Sequence, residues 1–286
     1  MDKQKTRRRR KFSREKAEFQ TNLSEFAKTL GQFISPDGEW TIKGFIDAFK
    51  NIYTISADTR VISKILELHL FPYFLEFANN IGYSLELAEY QNWYPDFTFV
   101  NKANKKVKFA LDLKTTYVNE KQPGFCNGFT LGSHGGYFLN RDEAKNALYP
   151  YNQYSGHFCL GIIYSRRSLP TEFESRKYSI DELEQIPSAI NNVKFFATEK
   201  WKIASDRAGS GNSAIIGSIK NIDDILSSNG VFAKAGEEIF DDYWANFGRV
   251  QIDNKSGGKK LLSSFDDYID FRGLSTDIKN TTMAVH

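Results

Sequence analysis

The stretch that most constrains this 286-residue chain is residues 94–117, YPDFTFVNKANKKVKFALDLKTTY. Phe97 and Phe99 alternate with Asp96 and Thr98. Val107, Phe109, Leu111 and Leu113 alternate with Lys108, Ala110, Asp112 and Lys114. A period of two marks half-buried strands, and the polar segment 101–106 between them suits a turn. A hairpin centred near Asn104 sets Asp96 opposite Asp112. Successive strand side chains face opposite ways, so Asp112 and Lys114 share a face about 7 Å apart. The pattern predicts two carboxylates and one amine together on the polar face of a sheet, with apolar residues holding the other face against a core.

Paired carboxylates with no histidine or thiolate beside them suit a hard, oxygen-seeking cation such as Mg²⁺. Such an ion can polarise a phosphate and acidify a water. A lysine two residues on can stabilise the charge that then develops or position the attacking water. Alone, an Asp–x–Lys triplet is equally a solvated surface pair of little energetic worth. Pro95 and Asp96, followed after fifteen residues by Asp112, Leu113 and Lys114 on an alternating strand, form a more specific pattern.

Charge is unevenly placed. The chain carries +3 overall, but residues 1–16 hold nine Lys or Arg against Asp2 and Glu15, a local +7 that leaves −4 for the rest. Residues 1–18 read as a flexible basic arm, because like charges repel and no apolar periodicity offers burial. Such an arm is either a sequence-independent phosphate contact or a solvated tail. The body is not generically basic, so a nucleic acid would need a local positive cleft, with the carboxylates screened by metal. Hydrophobic residues at 41% and aromatics at 15% supply a substantial core. No apolar run approaches the roughly 18 residues of a membrane span, and the basic N-terminus lacks the apolar stretch of a signal peptide. Cys126 and Cys159 lack metal-ligand spacing and read as reduced, structural thiols of a cytoplasmic protein.

Along the chain, Leu23, Phe26 and Leu30 predict an amphipathic helix over 19–30 that Gly31 ends. Segments 40–46 and 51–55 are short strand candidates. Asp58 reads as the N-cap of a helix with Val61, Ile65, Leu68, Phe71 and Leu75 on its apolar stripe, bent or broken at Pro72. Glu67 lies off that stripe and by itself reads as a solvated glutamate. Residues 157–164 read as a buried central strand, and 181–186 as one helical turn stopped at Pro187. Residues 237–247 form a helix on Ile239, Tyr243 and Phe247, 254–260 a linker, 265–273 a last short element and 274–286 a mobile tail. Arg249, Lys259, Lys260 and Arg272 are candidate clamps for a DNA backbone. His69, His134 and His157 are isolated and read as structural. Gly209, Ser210, Gly211, Asn212 and Ser213 sit between two apolar runs. The glycines allow close backbone approach, and amides with Asn and Ser match the donor–acceptor pattern of base edges. A phosphate loop is the rival, but it lacks the Lys–Ser/Thr pair and a clear following helix. On residues alone this remains a glycine-rich loop.

Taken together, QNWYPDFT, DLKTTY, KWKIASDRAGSGN and FDDYW resemble the type II restriction endonucleases of the PD…(D/E)xK nuclease superfamily, over residues 22–273. The resemblance implies an α/β fold with a mixed central β-sheet flanked by helices. It implies a single nuclease domain over 19–273, with a dimerisation subregion near 19–57. It assigns catalysis and metal binding to Asp96 and Asp112, with Glu67 as an auxiliary or second ligand, and the chemical step to Lys114. Gln91 and Asn92 are implied near the DNA minor groove. Thr115 and Thr116 are implied as DNA contacts, and Gly209, Ser210, Gly211, Asn212 and Ser213 as the base-reading loop. Relatives carry threonine where Ser213 stands and asparagine where Ile215 stands, which puts one flanking contact in doubt. The implied function is Mg²⁺-dependent, sequence-specific cleavage of double-stranded DNA by a homodimer. Its site would be a six-base-pair palindrome cut bluntly at the centre, with GATATC as a candidate, and a cognate DNA methyltransferase would accompany it in the same cell. Two other functions compete. A non-catalytic, sequence-specific DNA-binding protein gains nothing from acids near phosphate. A structure-specific nuclease of the same superfamily needs no base-reading loop.

Overall fold

A computed structural model describes residues 3–90, 92–167, 176–209, 214–254 and 257–278, with side chains from residue 13 onward. In chain order its elements are α1 (Lys3–Ile34), β1 (Gly44–Ile46), β2 (Ile52–Thr54), α2 (Thr59–Asn80), β3 (Tyr83–Glu86), β4 (Phe97–Asn101), β5 (Lys108–Tyr117), β6 (Thr130–Ser133), α3 (Gly136–Leu139), β7 (Gly156–Arg166), β8 (Lys177–Tyr178), β9 (Ile190–Glu199), β10 (Ala204–Ala208), β11 (Ile215–Ser218), α4 (Ile222–Leu226), α5 (Glu237–Asn246), β12 (Gln251–Asp253), β13 (Lys259–Leu261) and α6 (Phe265–Arg272).

The predicted hairpin is β4–β5. Its turn is set by the Asn101 side chain, which accepts from the Ala103 and Asn104 backbone N–H groups, as short amides do in tight turns. The hairpin sits inside a five-stranded sheet of order β3-β4-β5-β7-β9. Only β5 and β7 run parallel; the other neighbours are antiparallel. This is the expected mixed α/β sheet. One face, carrying Phe97, Phe99, Phe109, Leu111, Phe158 and Leu160, packs against α1 and α2. The opposite face, carrying Ala110, Cys159 and Ile163, joins a second core with α5, α6 and the three-stranded sheet β10-β11-β6. Both faces are therefore covered, and β7 is buried from Gly156 to Tyr164, as its unbroken apolar run requires.

Several local expectations change. The backbone is helical from Lys3, where a flexible arm to residue 18 was expected, and α1 passes Gly31 to end at Ile34. Phe19, Leu23, Ala27, Leu30 and Ile34 are buried at three- and four-residue spacing, and that docked stripe stabilises the whole helix. Once a turn is nucleated, each added Arg or Lys contributes one more backbone bond at little propensity cost. In α2, Asp58 caps the first turn by accepting from Arg60 and Val61. Its buried face is Ile62, Ile65, Leu66, Leu70, Phe74 and Phe77, whereas Leu68 and Leu75, placed on the stripe by sequence, are exposed. This helix is apolar on more than one side, so periodicity admitted two faces. Pro72 neither bends it to a stop nor breaks it. The proline lies on the exposed side, where water can satisfy the carbonyl it frees. Residues 254–260 are not a plain linker: they include the turn of the β12–β13 hairpin and place Lys259 and Lys260 in β13. The tail expected from 274 is packed at its start, since Leu274 and Ile278 lie against the core; residues 279–286 lie outside the described residues.

Candidate active site

The β4–β5 register pairs Phe97 with Leu111, which brings Asp96, one residue earlier, beside Asp112. Two backbone contacts fix the pair: the Asp96 N–H points at Asp112 Oδ1 over 3.4 Å, and the Leu113 N–H donates to Asp96 Oδ2 at 2.8 Å. Lys114 Nζ stands 3.4 Å from Asp112 Oδ2 and 3.7 Å from Asp96 Oδ2. The three side chains that sequence singled out therefore converge. The face they share is not open, however, because Asp112 is only 4% exposed under the second core.

Electrostatics at this point are unsettled without a further positive charge. Burial pushes the Asp96 carboxyl above its usual range; Lys114 opposes that push and Asp112 adds to it. Burial also works against the Lys114 ammonium, but Asp112 and Asp96 outweigh it and hold the lysine more firmly protonated than usual. A nearly buried carboxylate whose nearest partners stand 3.4 Å away retains open lone pairs. Two such hard oxygen donors fit a divalent cation, which would replace desolvation with coordination.

Glu67 lies on α2 and its charge is felt by Asp96. Yet it is part-exposed and bonds Lys64 at 2.8 Å. Among the described residues no group of three His, Cys, Asp or Glu side chains is placed to hold a metal, so Glu67 is not gathered into one ligand set with the two aspartates.

Beside the trio opens a cleft of about 530 Å³ between the end of β5 and the β10–β11 strands. Thr115, Thr116 and Gly209, three of the residues implied as DNA contacts, line it with Arg207 and Lys220, and among the described residues no acidic side chain does. Thr115 also hydrogen-bonds Ser63 of α2 at 3.0 Å. Gly217 matters here: a Cβ at that position would lie 2.9 Å from the Arg207 carbonyl oxygen, so only glycine lets β10 and β11 close. Asn92 is exposed ahead of β4 and does not line this cleft. Gln91, Ser210, Gly211, Asn212 and Ser213 lie outside the described residues. The proposed backbone clamps are largely engaged elsewhere: Arg272 pairs with Asp242, Lys260 with Asp267 and Lys259 with Asp253. Arg249 donates to the His134 carbonyl.

Sequence reading missed Arg207 and Lys220, which only strand pairing brings to the cleft. It also missed a buried cluster behind Asp112, formed by Tyr94, Tyr151, His157 and Lys200. His157 stacks on Tyr151 at 3.7 Å and bonds Tyr94 at 2.6 Å, a structural role as expected. Cys126 and Cys159 are free and buried, and burial pushes the Cys159 thiol up to about 12, which leaves it no nucleophile.

A mixed sheet with Asp112–x–Lys114 on β5 and Pro95–Asp96 immediately before the adjacent β4, next to this cleft, defines a nuclease of the PD…(D/E)xK class. A family model described as restriction endonuclease EcoRV matches residues 36–273. The type II restriction enzyme EcoRV of Escherichia coli is 39% identical over 214 residues, which cover 74% of this chain and 84% of that protein. The chain belongs to the EcoRV restriction endonuclease family. It is accordingly a site-specific deoxyribonuclease acting on DNA, and the non-catalytic DNA-binding alternative falls away. Among the described residues, no helix is long and apolar enough to cross a membrane.

Proposed function

We propose that this protein cuts both strands of a palindromic DNA site of six base pairs, bluntly at its centre, with GATATC as the first site to test. The observation that carries the reading is the convergence of Asp96, Asp112 and Lys114 beside the acid-free cleft. Asp96 and Asp112 are the residues that would hold Mg²⁺, as paired hard donors do. When bound, the ion supplies polarisation of the scissile phosphate and acidification of a water. Lys114 donates toward the negative charge that grows on the phosphate, and its two carboxylate neighbours keep it protonated for that role. Thr115 and Thr116 offer hydroxyls, and Arg207 and Lys220 charge, to the DNA in the cleft. Asn92, with Gln91, is assigned to the minor-groove side. Gly209, Ser210, Gly211, Asn212 and Ser213 are assigned to base reading on their sequence.

A palindrome is read by a two-fold protein, since symmetric half-sites need symmetric readers. The homodimer surface is assigned to the β1–β2 region, where Phe45, Ile46, Phe49 and Tyr53 are exposed. Residues 19–34, also within the range expected for dimerisation, place one apolar stripe in the core. The enzyme would act in the cytoplasm with a cognate methyltransferase that protects host DNA. The test is digestion of one sequenced plasmid with Mg²⁺ and with chelator, followed by end mapping. Blunt ends at a single hexameric palindrome are expected; ends scattered over unrelated sequences, or cleavage that survives chelation, refute the proposal.

A further inference from the structure

Lys200 lies in the 3-10 turn Lys200–Lys202 that follows β9. It is 3% exposed, and among the described residues it forms no ion pair. A buried ammonium needs compensation. Part comes from aromatic faces: Nζ stands 4.5 Å from the Tyr94 ring centroid and 5.8 Å from that of Tyr151, in cation–π range. Part comes from the Tyr94 hydroxyl, 3.5 Å away. An ammonium can only donate, so the Tyr94 oxygen accepts and its proton goes to His157 Nδ1 at 2.6 Å. His157 is kept neutral by burial, foremost, and by Lys200, and its other ring nitrogen is left to carry the proton. The chain Lys200 to Tyr94 to His157 thus has one direction, and Tyr94 lies two residues before Asp96.

The same ammonium shares a face of the sheet with Asp112. In the strand ladder Asp112 pairs with Cys159, and Cys159 with Thr198, so β9 brings Lys200 to the face that Asp112 occupies. Burial draws the Lys200 ammonium toward neutrality; Asp112 is the foremost group opposing that, while Lys114 adds to it. Asp112 thereby has Lys114 at 3.4 Å from its Oδ2 and Lys200 on the same face of the sheet.

We propose that Lys200 is a positioning residue, a buried counter-charge that holds Asp112 in place before a metal ion arrives. It acts through Asp112 and Tyr94 and does not touch DNA. The inference rests on the reading of Asp112 as a metal-binding carboxylate, but its main test needs no metal. In metal-free protein, urea unfolding is measured for the wild type, Lys200→Met, Asp112→Asn and the double variant. The Lys200→Met loss should be smaller in the Asp112→Asn background, with a coupling of roughly ten-fold in the folded-to-unfolded ratio. If Lys200→Met alone fails to fold, the double variant should regain the fold. Losses that simply add, or a double variant as damaged as the single, overturn the proposal.

A second arm separates charge from packing. Ca²⁺ alone is titrated against thermal unfolding of the wild type, Lys200→Met and Lys200→Arg. Removing a repelling charge should lower the Ca²⁺ midpoint by roughly five-fold in Lys200→Met, and Lys200→Arg should restore the wild-type midpoint. A midpoint unchanged in Lys200→Met, where the wild type responds, also overturns it. If Ca²⁺ stabilises none of them, the metal reading fails, and the unfolding cycle still judges the counter-charge.

Discussion

Asp112 is held by β5, roofed by the second core and faced by Lys114, and each of these has a measurable consequence. Asp112→Ala should lower cleavage by several orders of magnitude, the scale on which loss of a positioned metal ligand acts. The fold should persist, because neighbouring aliphatic and aromatic side chains carry the packing. Near-normal cleavage by this variant in a single-turnover assay would remove Asp112 from the site. Lys114 makes a different prediction. A group that meets charge only as it develops lowers the barrier without tightening ground-state binding. Lys114→Ala should therefore keep its DNA affinity in Ca²⁺ and lose single-turnover cleavage in Mg²⁺; weakened binding with normal turnover contradicts the role. Both residues were legible because a period of two fixes the face and the turn centre fixes the register. Lys200 was not legible: a lysine after an apolar strand looks the same whether its head meets water or a buried tyrosine.

At the scale of elements, α1 joins a basic segment to the core. Lys16 pairs with Glu199 of β9 and with Glu237 of α5, so the boundary of any dispensable arm falls before it. Deleting residues 1–12 should flatten the salt dependence of non-specific DNA binding and leave the cleavage site unchanged, as filter binding and end mapping would report. Lys16→Met should cost about 2 kcal/mol, less than a fully buried pair because the lysine is partly exposed. The pH dependence follows from signs. Burial pushes the Glu199 carboxyl up, but Lys16 and the neighbouring donors outweigh it and leave it below its ordinary 4.5. A depressed carboxyl stabilises above that value and loses its contribution as pH falls through the folded pKa. Glu237 is shifted the other way, by burial first, so its ionised form costs stability near neutrality and protonation relieves it. The acid-side loss tied to Glu199 should be smaller in Lys16→Met than in the wild type. Equal losses in urea melts on either side of about pH 4.5 would contradict the pairing.

For the whole molecule, the proposed palindromic site calls for a two-fold assembly of this chain. Phe49 is 86% exposed, an unusual place for a phenylalanine on a lone monomer. Phe49→Glu should shift sedimentation toward the monomer while leaving the circular dichroism spectrum unchanged; an undisturbed dimer would place the two-fold elsewhere. Specificity belongs at this scale too, because the segment proposed to read bases and the residues proposed for catalysis are separated along the chain and must be coupled. Asn212→Ala should lose cognate cleavage far more than binding to random duplex, since each good base contact is worth about 1–3 kcal/mol and recognition can drive assembly of the site. Full cognate cleavage by Asn212→Ala would exclude it as a base reader.

The chain by itself determined the β4–β5 hairpin, the Asp96–Asp112–Lys114 trio, the Asp58 cap of α2 and the buried run of β7. Each depends on local spacing, turn chemistry or a short register, all carried by contiguous residues. Tertiary structure alone decided which of two apolar faces α2 buries, how far α1 extends, and where the free-looking cations go. Arg272, Lys260 and Arg249 find partners on other elements, while Arg207 and Lys220 both line the cleft beside β10 and β11. Long side chains reach partners far along the chain, and no periodicity records the distance between them. The same reason hid the cluster behind Asp112: Tyr94, His157 and Lys200 come from three separate segments, and only the strand order β4-β5-β7-β9 brings them together.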